Sequence, residues 1–75
     1  MKTVEISLNS IEKVKSFVNE IAKFDTDFDL VSGRYVIDAK SIMGIFSLDL
    51  LSPINLVAHT ENAESLFKGI SKFVV

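Results

Sequence analysis

From Thr3 to Leu8 apolar and polar residues alternate, with Val4, Ile6 and Leu8 on one face and Thr3, Glu5 and Ser7 on the other. A period of two predicts a strand with one buried and one wet face. The period then lengthens. Ile11, Val14, Val18 and Ile21, widened by Phe17, recur at helical spacing, while Lys13, Lys15, Asn19, Glu20 and Lys23 fall elsewhere. Asn9 is the expected cap of this helix, with Glu12 reaching back to it. Asp25-Thr26-Asp27 breaks the pattern just after Phe24. Phe28 and Leu30 then point one way and Asp27 and Asp29 the other, giving a second strand. Ser32-Gly33-Arg34 supplies the positive φ of a tight hairpin, and Tyr35 to Asp38 reads as a third strand.

Ser41 is placed to cap a short helix. At about 100° per residue, Ile45 and Leu48 share one sector of that helix, while Ile42, Met43 and Phe46 share another. One core cannot take both, so the second sector is expected to face solvent or a partner. Ser52-Pro53 interrupts the chain. Ile54, Leu56 and Ala58 alternate with Asn55, Val57 and His59 in a fourth strand. Thr60-Glu61-Asn62 opens a last helix, whose stripe is Ala63, Leu66, Phe67, Ile70 and Phe73, with Glu61 and Glu64 early and Lys72 late.

The order is β-α-β-β-α-β-α. A strand, helix and strand in succession form a crossover, so the first two strands run parallel, and a fourth strand can slot between them antiparallel to both. Alternation in every strand leaves the sheet one covered face, which must carry all three helices. The class is therefore an α+β split crossover, expected as one domain over 1–75.

Composition narrows the function more than the fold. The chain has 75 residues, 48% of them hydrophobic, one Pro and three Gly, which describes a folded domain with room for a single core. The absence of Cys excludes disulfides and thiolate metal sites. Eight basic and ten acidic residues give a net charge of −2 with no basic run, so nucleic acid is not an expected partner. No apolar run approaches the ~20 residues of a membrane span. The first residues lack the apolar region of a signal peptide, which makes a cytoplasmic protein the expectation. Asp25, Asp27 and Asp29 have calcium-loop spacing, but Leu30 and Val36 stand where such a loop needs Gly and Glu, so no metal is expected. No phosphate-binding glycine loop or nucleophile triad is present. His59 is the chain's single histidine; no carboxylate or hydroxyl constellation is readable around it, and it reads as a strand-end surface residue.

The block Lys40-Ser41-Ile42-Met43-Gly44-Ile45-Phe46-Ser47-Leu48 resembles the regulatory-serine segment of HPr, the histidine-containing phosphocarrier family of the bacterial sugar phosphotransferase system. Lys23-Phe24-Asp25-Thr26-Asp27-Phe28-Asp29-Leu30 is similar to that family's passage from first helix to second strand, and nearly the whole chain can be laid on the family pattern. The resemblance implies an HPr-like open-faced two-layer sandwich with strand order 1-4-2-3 and three helices on one face.

It also implies a site, and there the chain departs from the pattern. The family's Gly-Ile/Leu-His-x-Arg-Pro signature is missing. Laid back from Lys23-Phe24, the histidine position falls at or near Ser10, the arginine position near Glu12 and the proline position near Lys13. A phosphoserine ester does not hand on its phosphate as a phosphohistidine does, and Glu12 adds negative charge where an anion should sit. The expectation is a divergent relative without catalytic residues or cofactors. It is expected to act through protein partners (phosphotransferase-system enzymes, HPr kinase or a transcriptional regulator), with Ser41 the regulatory phosphorylation position and Ile42, Met43 and Phe46 the docking surface. The alternatives are a functional phosphocarrier and a purely structural interaction module. The catabolite-repression HPr-like proteins, which keep the serine and lack the histidine, are the precedent within the family.

Overall fold

The computed structural model describes residues 2–61 and 63–75, so Asn62, expected at the opening of the last helix, lies outside the described residues. The elements are β1 (Lys2–Ile6), α1 (Ile11–Ile21), β2 (Phe28–Ser32), β3 (Tyr35–Asp38), α2 (Ile42–Phe46), β4 (Ile54–Ala58), α3 (Glu64–Gly69) and a 3-10 turn (Ser71–Phe73). The four strands form one sheet in the order β1-β4-β2-β3, every neighbouring pair antiparallel. This is the α+β architecture expected from the chain.

The alternation does what it predicts. Ile6 of β1, Phe28 and Leu30 of β2, and Ile54, Leu56 and Ala58 of β4 are all buried on the covered face. Val14, Phe17 and Ile21 of α1 close over them, as do Ile45 and Leu48 at α2, and Ala63, Leu66, Ile70 and Phe73 at the last helix and its 3-10 turn. The Phe17 and Phe73 rings meet edge to face with centroids 5.6 Å apart. Gly33 has φ +60 at the first position of the two-residue loop between β2 and β3, a conformation that side-chain-bearing residues avoid.

Several details differ from the sequence reading. β1 ends at Ile6, although Leu8 is still fully buried. The cap of α1 is Ser10 rather than Asn9: Ser10 has extended backbone angles, and its hydroxyl accepts from the Lys13 N–H at 3.1 Å. Ile11 is 62% exposed, because it lies about 120° around the helix from Phe17, past the edge of the core stripe. The last helix starts at Glu64 with no side-chain cap at Ala63, and it tightens into the 3-10 turn that carries Lys72.

The C-terminal residues also return to the sheet. The Ser7 N–H donates to the Phe73 carbonyl at 2.8 Å and the Val75 N–H to the Glu5 carbonyl at 3.1 Å, bracketing an antiparallel bridge between Ile6 and Val74. Residues 73–75 thus lie along the outer edge of β1.

Candidate functional site

Two helix starts bear on function. The first, at α1, opens into a cleft lined by Ser10, Glu12, Lys13, Ser16, Lys72 and Phe73. Ser10 and Lys13 come from the first turn of an eleven-residue helix, and Lys72 is brought in by the 3-10 turn at the other end of the chain. The Lys72 ammonium lies 5.3 Å from the centre of the Phe73 ring, a cation–π distance. Glu12 does not set the charge of this cleft alone, since two lysines line it as well. The negative charge expected from Glu12 is present, and it is joined by Lys72, which no reading of the first helix could supply. No histidine lines the cleft.

His59 lies elsewhere. Its N–H donates to the Asp27 carbonyl at 3.0 Å, and its ring Nε2 is 2.7 Å from Asp29 Oδ2. It shares an acidic hollow at one end of the sheet with Asp27, Asp29 and Asp38. The strand-end placement agrees with the sequence reading, but the carboxylate partner was not legible there. Asp29 is thirty positions away in the chain and becomes a neighbour only through the pairing of β2 with β4.

The second helix start is that of α2. The chain leaves β3 through a tight turn in which Asp38 Oδ1 accepts from the Lys40 N–H at 2.9 Å and the Asp38 carbonyl accepts from the Ser41 N–H at 3.0 Å. The Ser41 hydroxyl then accepts from the Gly44 N–H at 3.2 Å, which makes it the cap of α2. Ser41 itself is exposed. Lys40 reaches back across the fold: its ammonium donates to the Phe24 carbonyl at 2.7 Å and stands 5.6 Å from the centre of the Phe28 ring. The lysine before the serine thus ties α2 to the turn between α1 and β2, joining the two segments that looked most like HPr. Gly44 has a packing reason as well. A Cβ there would come within 3.2 Å of both Ile37 Cδ1 and Ser41 Oγ, so a side chain would press on β3 and on the cap together.

The two sectors of α2 separate, though not quite where expected. Ile45 is fully buried and Leu48 is 8% exposed, whereas Met43 is 78% and Phe46 42% exposed. Ile42 is half-buried and packed against the core. It lies about 60° from Ile45, closer to the core sector than to Met43. The outward apolar pair is therefore Met43 and Phe46. Leu51, 89% exposed in the loop that follows α2, is an apolar residue the helix periodicity could not reveal.

Comparison with solved structures places this arrangement. HPr-C-His from Thermoanaerobacter tengcongensis matches with a TM-score of 0.78 and 28% identity, over 96% of this chain and 89% of that one. The phosphocarrier protein HPr from Bacillus anthracis strain Ames matches with a TM-score of 0.72 and 28% identity, over 99% and 94%. The chain has the HPr fold. No protein-family model and no curated protein sequence matches it. The HPr-like order of strands and helices, with Ser10 at the head of α1 and Ser41 at the head of α2, is the frame for any function assigned to it. Among the described residues, no helix is long and apolar enough to cross a membrane.

Proposed function

We propose that this chain is an HPr-like interaction domain related to the sugar phosphotransferase system, acting in the cytoplasm through protein contacts and without histidine phosphocarrier activity. The observation that carries this reading is the head of α1, where Ser10 caps the helix and the surrounding cleft holds no histidine. An imidazole can take up a phosphoryl group and release it to another acceptor; a serine hydroxyl forms a stable ester. The two lysines of the cleft would attract an anion, but they provide no transferable phosphoryl bond.

The contact surface in this reading is α2, where Met43 and Phe46 stand outward, with Ile42 beside them only in part. Ser41 is the position for regulation. Its phosphorylation would place about −2 of charge at the head of an apolar surface, next to amides that tolerate an anion, so the effect falls on docking rather than on the fold. Enzymes of the phosphotransferase system, a serine kinase of the HPr type or a transcriptional regulator are the partners in view.

Incubation with the system's first enzyme and phosphoenolpyruvate is expected to leave the chain without acid-labile phosphate; its appearance would overturn the proposal. A second incubation, with HPr kinase and ATP followed by mass spectrometry, is expected to place one phosphate on Ser41. An unmodified Ser41 would reduce the domain to an unregulated contact module.

A further inference from the structure

β3 is an outer strand of the sheet, and its orientation follows from one bond. The Ala39 N–H donates to the Phe28 carbonyl at 2.9 Å, so Phe28–Ala39 is a bonded pair, and by alternation so are Leu30–Ile37 and Ser32–Tyr35. The pairs between them, Val31–Val36 and Asp29–Asp38, leave Val36 and Asp38 with their backbone groups turned away from β2. The Asp38 carbonyl is engaged by Ser41. Among the described residues, no strand pairs with that side of Val36. Outer strands are commonly blunted by lysine, proline or a bulge. This one has neither residue, and Tyr35 and Val36 are 65% and 62% exposed.

The sequence of this edge complements itself. Read antiparallel about Val36, the stretch Arg34-Tyr35-Val36-Ile37-Asp38 sets Arg34 against Asp38, Tyr35 against Ile37 and Val36 against Val36. Other centres fail. A centre at Tyr35 sets Val36 against Arg34, and one at Ile37 sets Val36 against Asp38, whose carbonyl Ser41 already takes; neither brings Arg34 to Asp38, and a centre at Asp38 opposes two carboxylates. The charges add a second reason. Asp38 stands directly across from Asp29 on the open face of the sheet, a like-charged cross-strand pair that is unfavourable by itself. His59 serves Asp29, while Arg34, the chain's single arginine, is exposed and makes no ion pair among the described residues.

We propose that β3 pairs antiparallel with the β3 of a second copy, centred on Val36, with Arg34 of each molecule against Asp38 of the other. Two reciprocal backbone bonds form between the Val36 residues, and the second Arg34 gives Asp38 a basic partner, as His59 is for Asp29. The axis relating the copies is perpendicular to the sheet, so the two sheets become continuous with all helices on one face. So short an edge makes a small contact, and the association belongs in the micromolar-to-millimolar range.

Sedimentation velocity on the full chain from micromolar to millimolar concentration is expected to show conversion from one to two copies. Val36→Pro removes the outward N–H at a place where an edge strand tolerates proline, and it is expected to abolish the conversion. Arg34→Glu and Asp38→Lys are each expected to weaken it by about tenfold or more, since each turns both charge pairs repulsive. An equimolar mixture of those two variants should associate again, because Glu then faces Lys and Arg faces Asp. Recovery on mixing cannot come from misfolded protein, so it separates loss of pairing from loss of fold. A chain that stays single at millimolar concentration would leave this edge to an extended segment of some other protein and overturn the proposal. Self-association indifferent to all three substitutions, or variants that stay inert when mixed, would overturn it equally.

Discussion

At the start of α1 the Ser10 hydroxyl accepts from the N–H three residues on, and at the start of α2 Ser41 does the same, at 3.1 and 3.2 Å. The backbone chemistry is identical and the surroundings are not. Ser10 heads an eleven-residue helix with Glu12 in its first turn and lysines lining the adjoining cleft. Ser41 heads a five-residue turn with no acidic residue in it, closed by Gly44 and flanked by exposed Met43 and Phe46. A capping serine alone therefore says nothing about function. What distinguishes the two positions is the side chains around each: Glu12 and two lysines beside an exposed Ile11 at α1, and uncharged, outward Met43 and Phe46 at α2.

The comparison can be tested by removing what holds each helix and then what each displays. Phe17→Ala takes from α1 the fully buried ring that meets Phe73, and it should cost about 3–5 kcal/mol in urea unfolding, the largest effect of the set. Ser10→Ala should cost about 1 kcal/mol by the same measurement. Ser41→Ala should cost less, about 0.5 kcal/mol, because the cap starts a helix of only five residues rather than eleven. Equal losses at the two serines would mean that α2 depends on its cap as much as α1 does. Phe46→Lys is the mildest, expected to change stability by no more than about 0.5 kcal/mol while abolishing partner binding. A loss of several kcal/mol there would place Phe46 in the core and remove the proposed contact surface.

Much of the architecture was legible because it rests on local periodicity. Alternation in Val4–Leu8, Phe28–Leu30 and Ile54–Ala58 identified the strands and the covered face, and the crossover constraint nearly determined their order. The Lys40–Leu48 block then supplied the HPr resemblance that fixed it. Features requiring distant residues to meet were not legible. Lys72 enters the α1 cleft, Asp29 reaches His59, and Val74 bridges to Ile6, each across a span that no window of sequence covers. Boundaries missed by small steps for a different reason. Asn9 and Ser10 are adjacent and both residue types cap well, so composition does not choose between them; the backbone of Ser10 is the one with the extended angles of a cap. Ile42 lies between the two sectors, about 40° from Phe46 and about 60° from Ile45, so periodicity alone does not say that it packs against the core.

The return of residues 73–75 along β1 limits what any growth of the sheet could become. Its outward carbonyl at Glu5 and amide at Ser7 are already engaged within the molecule, so the two rims of the sheet are not equivalent. A contact that uses the same rim on both molecules closes on itself, whereas fibres need two complementary rims on every copy. The β3-to-β3 pairing proposed above would therefore stop at two copies.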